Sequence, residues 1–138
     1  MDEFLIPSVS GSGGLLFYDR SPVDRAQRIG TFLVRVTDQD LSAAAQVYAG
    51  YAPSHPAAMF AEMARRWSGW HGELVWKSLE GELALRCSHD RLGHISIRVE
   101  LRSGLMPDDW SAAATVVSEA GQLEEIARRA RSFFGRAD

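Results

Sequence analysis

The stretch Ile95-Ser96-Ile97-Arg98-Val99-Glu100-Leu101-Arg102 alternates strictly between apolar and polar side chains. Alternation with a period of two residues is typical of a β-strand that has one face in the core and the other in water. Residues 83–87 show the same pattern, with Leu83, Leu85 and Cys87 on the apolar face. Because a tight connection at residues 88–93 lies between the two segments, we predict an antiparallel hairpin whose apolar side chains all face one core.

The rest of the chain predicts further strands and two helices around this hairpin. One helix is expected from Ser54, as its N-cap, to about Trp67, and a second from about Glu119 to Phe134. The alanines at 43–45 would suit a helix as well as a strand. Further strands are predicted at residues 15–18, 31–37, 41–48, 73–76 and 110–117.

Because runs of strands are separated by only two helices, this order favours an α+β fold over a doubly wound α/β fold. We predict a mainly antiparallel sheet of about six to seven strands with two helices packed on one face. Residues 15–138 are expected to form this single α+β domain. Residues 1–14 end in Ser8-Val9-Ser10-Gly11-Ser12-Gly13-Gly14, which predicts a flexible N-terminal segment. Asp19 to Arg28 is interpreted as a loop.

Composition excludes several classes of protein. The chain has 138 residues, of which 46% are hydrophobic, as in an ordinary globular domain. Cys87 is the only cysteine, so no intramolecular disulfide can form, and a lone thiol suits a reducing compartment. No apolar run approaches the roughly 20 residues that span a bilayer, and the N-terminus is acidic rather than basic. The chain is therefore expected to be cytoplasmic and to bind no membrane. Its net charge of -3 argues against binding to nucleic acid.

Three tryptophans fall within ten residues, at Trp67, Trp70 and Trp76. Tryptophan is frequent both at helix–sheet junctions and at binding hot spots. We predict that Trp67 lies in the core, and that Trp70, flanked by glycines, projects from a turn as an anchor for a partner. The predicted partner-binding residues are completed by a neighbouring imidazole and two carboxylates: Trp70, His71, Glu73 and Asp90.

The segment Ser88-His89-Asp90-Arg91-Leu92-Gly93-His94 is the richest cluster of chemistry-bearing side chains. His89, Asp90 and His94, together with His71, form an alternative metal-binding hypothesis. The simpler interpretation is that Asp90 caps the turn through its own backbone. We predict that no metal or cofactor is bound. No catalytic residue is predicted, because Cys87 lies on an apolar strand face and no nucleophile motif is complete.

Four motifs resemble a known family: Trp67-Ser68-Gly69-Trp70-His71-Gly72-Glu73, Trp76-Lys77-Ser78-Leu79-Glu80-Gly81-Glu82-Leu83, His89-Asp90-Arg91-Leu92-Gly93-His94, and Glu119-Ala120-Gly121-Gln122-Leu123. Over residues 30–135 they resemble an uncharacterised family of small actinobacterial proteins, domain of unknown function 6228. That family carries no assigned activity, so the resemblance implies no catalytic residues. The layout is also similar to immunity proteins of the WapI type, which neutralise a toxin domain by binding it.

Two hypotheses of function follow. The first is a non-catalytic protein-binding module, of which an immunity protein bound to a toxin is the specific form. The second is a small enzyme or metal-binding protein that uses His71, His89, Asp90 and His94. The sequence favours the first, because it shows small size, acidic charge and an aromatic-rich loop without a complete catalytic motif. It indicates no oligomeric state.

Overall fold

The protein folds as a single α+β domain in the computed structural model, which describes residues 3–22, 29–49 and 56–135. The strands are β1 (Glu3–Pro7), β2 (Gly14–Pro22), β3 (Ile29–Asp38), β4 (Leu41–Tyr48), β5 (Leu74–Lys77), β6 (Leu83–His89), β7 (His94–Arg102) and β8 (Ser111–Glu119). The helices are α1 (Ala57–Arg65) and α2 (Leu123–Phe134), with a 3-10 turn at Ala120–Gln122. Among the described residues, no helix is long and apolar enough to cross a membrane.

The strands form two four-stranded antiparallel sheets, β1-β2-β3-β4 and β5-β6-β7-β8. The prediction of one sheet of six to seven strands was therefore wrong in this detail. Within each sheet every strand pairs only with its neighbours in sequence, and no more than eight residues separate one strand from the next. The longer connection through α1 separates β4 from β5 and interrupts the pairing. Both sheets nevertheless contribute their apolar faces to one continuous core.

The predicted hairpin is confirmed as β6 and β7. Leu85 lies opposite Val99, and Cys87 lies opposite Ile97. All the predicted core positions of both strands are fully buried. A shift of one residue would expose the entire apolar set, so the hydrophobic pattern itself fixes this register.

The interpretation of residues 1–14 as flexible was wrong for the segment that forms β1. Phe4 and Ile6 alternate with polar or exposed neighbours and are buried against β2. The turn that follows is anchored to β8, because Val9 N–H donates to the carbonyl of Val117 at 2.8 Å. Gly13, at φ +79°, is required there, since a side chain would overlap the backbone of Thr37. The apparent linker is a tight turn between two core strands.

Other element boundaries also differ from the predictions. The predicted loop from Asp19 to Arg28 is strand as far as Pro22, and its remainder lies outside the described residues. The expected N-cap Ser54 also lies outside them. The structure places Pro56 at the N-cap of α1 and ends that helix at Arg65, two residues before Trp67.

An aromatic cluster joins the helices to the first sheet. Phe4 of β1 contacts Phe60 of α1, with ring centroids 5.8 Å apart, and Phe134 of α2, at 6.5 Å. Phe17 of β2 lies 5.3 Å from Phe134. The two helices also pack against each other. The candidate site forms elsewhere, where the segment that follows α1 contacts the β6–β7 turn.

Candidate functional site

The site lies where residues 67–72, between α1 and β5, contact the β6–β7 turn. Gly69 sits at φ +137°, a conformation that side chains disfavour, and so reverses the chain after α1. The backbone at Gly69 also passes close to the side chain of Arg91, leaving 3.0 Å between Arg91 Cγ and the position of a Cβ. The turn and the segment therefore support each other. We call this the Trp67 surface, comprising Trp67, His71, Asp90 and Arg91.

The predicted roles of Trp67 and Trp70 were reversed. Trp70 is only 5% exposed, and its indole Nε1 donates to the carbonyl of Cys87 at 3.1 Å. Trp67 is 64% exposed. Because α1 ends before Trp67, the helical spacing that placed Trp67 in the core does not extend to it. The reversal at Gly69 then turns Trp70 inward beneath β6.

His89 holds this segment in place through both ring nitrogens. Its Nδ1 accepts a hydrogen bond from the N–H of Arg91 at 2.7 Å. Its Nε2 lies 2.9 Å from the carbonyl of Trp67, so Nε2 carries the proton and donates. The ring also packs edge-on against Trp70, with centroids 5.1 Å apart. Neither nitrogen retains a lone pair for a metal unless one of these bonds is broken.

Asp90 closes the β6–β7 turn, which confirms the capping interpretation. Its Oδ1 accepts the N–H groups of Leu92, at 2.6 Å, and of His94, at 3.0 Å. Its Oδ2 lies 2.8 Å from Nδ1 of His94. The backbone bonds from His94 and Leu92 hold the pKa of the Asp90 carboxyl at about 2, below its usual range. They position the turn in which Arg91 adopts φ +62°.

The four residues of the metal hypothesis do not converge on one point. The ring of His71 accepts from the guanidinium of Arg91, His89 binds backbone atoms, and Asp90 pairs with His94. In the chain segments that the structure describes, no group of three or more His, Cys, Asp or Glu side chains is placed to hold a metal ion. The cluster stabilises a turn in this arrangement.

Glu73 contacts different residues from those that Asp90 contacts. Its Oε1 is 3.8 Å from the guanidinium of Arg86, which also binds Glu100 at 3.2 Å on the outer face of the second sheet. The structure therefore brings His71 to Arg91 and Asp90 to His94, whereas Glu73 begins a row of ion pairs along β6 and β7. The two carboxylates predicted to bind a partner, Glu73 and Asp90, therefore have different neighbours.

Cys87 is fully buried, and this raises the pKa of its thiol to about 12 because the core disfavours the thiolate. The nearby charge of Glu73 raises the pKa further. A thiol that stays protonated is a poor nucleophile. The geometry thus gives Cys87 a packing role, as its position on an apolar strand face predicted.

A groove of about 640 Å³ runs along β4 and was not predicted from the sequence. Its walls are β4, the β5–β6 turn and the loop between β7 and β8. The lining residues are Ala44, Ala45, Gln46, Glu80, Glu82, Ser103, Gly104, Leu105 and Trp110. The sequence pattern predicts that Trp110 begins a strand, whereas β8 begins at Ser111 and Trp110 lines the groove. No local pattern indicates this position, because Trp110 and β4 are far apart in sequence.

Comparison with known proteins adds a family assignment. The model of a family described as "Family of unknown function (DUF6228)" matches residues 7–137, which is almost the whole chain. The match includes all four of the motifs noted in the sequence, and it covers both sheets and both helices except the start of β1. No curated protein and no solved structure matches the chain.

Proposed function

The chain belongs to this family of unknown function, and we propose that it is a non-catalytic protein-binding module that binds its partner through the Trp67 surface. The observation that supports the proposal is the exposure of Trp67, at 64%, on a segment that is otherwise fixed. A large aromatic side chain held in water by a rigid backbone is typical of a binding hot spot.

The backbone beneath Trp67 is fixed by three contacts. Its carbonyl is bound by His89, Trp70 is buried just beyond it, and Arg91 packs against Gly69. A partner that covers the indole therefore loses little conformational entropy in the segment itself. The guanidinium of Arg91, donating to His71, adds a planar polar group to the Trp67 surface. Arginine and tryptophan are the residues most enriched at hot spots.

The net charge of -3 favours a basic partner, because opposite charges accelerate association. We propose an immunity role as the specific form of this function: the chain would occupy a basic toxin domain and prevent it from acting. The supporting features are small size, acidic charge and a layout similar to WapI-type immunity proteins. The enzyme alternative is not proposed, because the turn already uses the ring nitrogens of His89 and the carboxylate of Asp90.

The proposal is tested by co-expressing the chain with a toxin domain encoded beside its gene and measuring growth and affinity. The wild-type chain should restore growth. Trp67→Ala should abolish protection and weaken binding by about thirtyfold or more. Val9→Ala is the control, because the Val9 side chain is 51% exposed in the β1–β2 turn and the bond that Val9 makes to β8 uses its backbone N–H, which alanine keeps. Full protection by Trp67→Ala, or the lack of any protein partner for the wild-type chain, would contradict the proposal.

A further inference from the structure

We propose that the outer edge of β4 binds an extended, basic segment of a partner protein, which adds to the first sheet as a fifth strand. The site is the groove along β4, bounded by Glu80, Glu82, Leu105 and Trp110. It does not depend on the Trp67 surface. The two lie at opposite ends of the β6–β7 hairpin, about 20 Å apart for strands of this length.

The backbone of β4 presents hydrogen-bonding groups to the groove. The N–H of Ala49 donates to the carbonyl of Gly30, at 2.8 Å, which fixes the phase of pairing between β3 and β4. The backbone N–H and carbonyl groups of successive residues in a strand point to opposite sides. Those of Val47 and Ala45 therefore point towards β3, whereas those of Gln46 and Ala44 point outward. Both outward residues line the groove.

One position of this edge already binds a side chain. The N–H of Tyr48 donates to Oε2 of Glu82 at 3.1 Å, and Oε1 of that carboxylate accepts from Ser78 at 2.7 Å. Glu82 thus closes one end of the edge and fixes where an added strand must stop. Within the residues that the structure describes, the N–H groups of Gln46 and Ala44 have no such partner. They are the unpaired groups that an added strand would bind.

The groove also has the size and lining of a ligand site. Its volume of about 640 Å³ falls within the range of roughly 300–1,000 Å³ that ligand sites occupy. One wall carries the exposed apolar side chains Leu105 and Trp110, at 62% and 43% exposure. Glu80 and Glu82 lie beside them, since Leu105 is the side chain next to Gly81, which stands between the two carboxylates. An extended segment added to β4 would pass both kinds of side chain, so that its basic residues pair with Glu80 and Glu82 and its apolar residues contact Leu105 and Trp110.

Charge identifies the occupant as a basic partner rather than a second copy of this chain. The lining includes two carboxylates and no lysine or arginine. Pairing of two β4 edges would bring four such carboxylates together, and like charges in apposition oppose association. A segment that carries lysine or arginine at alternate positions neutralises them.

The test measures fluorescence anisotropy of a labelled hexapeptide that alternates lysine and valine. Two control peptides replace lysine by glutamate, or carry methyl groups on alternate backbone nitrogens so that strand pairing is blocked. We expect the lysine peptide to bind and both controls to bind at least about tenfold more weakly. Equal binding of the methylated peptide would exclude strand addition, and equal binding of the glutamate peptide would exclude charge recognition.

Variants of β4 separate the backbone from the side chain. Gln46→Pro removes the outward N–H without removing a bond to β3, whereas Gln46→Ala keeps that N–H. We expect about a tenfold loss of affinity for the first and less than about twofold for the second. If Gln46→Pro does not fold, as judged by its thermal melt, Glu80→Lys takes its place and should reduce binding and its dependence on salt.

Two further outcomes would overturn the proposal. Unchanged binding by Gln46→Pro, or by Glu80→Lys where that variant replaces it, would place the peptide elsewhere. A dimer in sedimentation equilibrium that Gln46→Pro dissociates would assign the edge to a second copy. Trp67→Ala should leave peptide binding unchanged, so failure here is distinguishable from failure of the proposed function.

Discussion

The β6–β7 hairpin and residues 67–72, which contact its turn, differ in how well their burial follows from the sequence pattern. In the hairpin, each residue from Ile95 to Leu101 lies on the face that its alternation predicts. In residues 67–72 the two tryptophans take the opposite environments to those predicted. In the hairpin, the local alternation of apolar and polar residues determines which side chains are buried. In residues 67–72, contacts with the distant residues His89 and Arg91 determine it. Four predictions test this difference, from the largest expected effect to the smallest.

Ile97→Asp should unfold the domain. Ile97 is fully buried opposite Cys87, so the variant would place an unpaired charge in the core at a cost of more than about 4 kcal/mol. Ile97→Val is the matched control and should cost about 0.5–1.5 kcal/mol. Circular dichroism melts of both variants provide the measurement. A near-native melting temperature for Ile97→Asp would show that the hairpin does not depend on its buried face.

Trp70→Ala should cost about 3–5 kcal/mol, because it leaves a cavity and removes the donor to the Cys87 carbonyl. Trp67→Ala should change stability by no more than about 0.5 kcal/mol, since the indole is largely in water. The backbone carbonyl of Trp67 remains available to His89 in that variant. Urea unfolding of the pair gives both values, and equal losses would remove the distinction between the two environments.

The sequence predicted the elements in which apolar residues repeat with a clear period. The hairpin, β3 and the apolar face of α2 around Ile126 and Ala130 follow such patterns. It did not predict β1, because this strand is short and the serine- and glycine-rich residues that follow it have the composition of a flexible linker. Nor did it predict two separate sheets, since alternation identifies strands but not their partners.

The candidate site was predicted in part. The capping role of Asp90 follows from local chemistry, because the two N–H groups that donate to its carboxylate lie within four residues. The environments of Trp67 and Trp70 depend on where α1 ends and on the positive φ of Gly69. Contacts with His89 and Arg91, about 20 residues away, then fix the segment. Contacts between residues so far apart produce no repeating pattern of residue types, so they could not be predicted from the sequence.

Asp90 should make the turn sensitive to acid. Its pKa is depressed in the folded protein, so its stabilising effect is present above about pH 4, where the unfolded carboxyl is ionised. That effect should be lost as the pH falls through about 2. Asp90→Asn keeps an oxygen that can accept both backbone N–H groups but does not titrate. Melts between pH 2 and 7 should show that its difference from the wild type narrows in acid; a constant difference would mean that ionisation of Asp90 does not contribute.

The smallest effect is expected for alkylation of the Cys87 thiol, which should not react in the native protein. Its pKa of about 12 keeps the thiol protonated at pH 8, and the core excludes reagent, so iodoacetamide should label it only after unfolding. The raised pKa also means that its contribution to stability is complete below the pKa of the unfolded thiol, about 8.5, and decreases as the pH rises towards 12. Mass spectrometry with and without urea measures the labelling.

The labelling rate of Cys87 also tests the two tryptophans. In Trp70→Ala the cavity adjoins the Cys87 carbonyl, so Cys87 should be labelled faster in this variant than in Trp67→Ala. Equal labelling rates in the two variants would show that the indole of Trp70 does not shield β6.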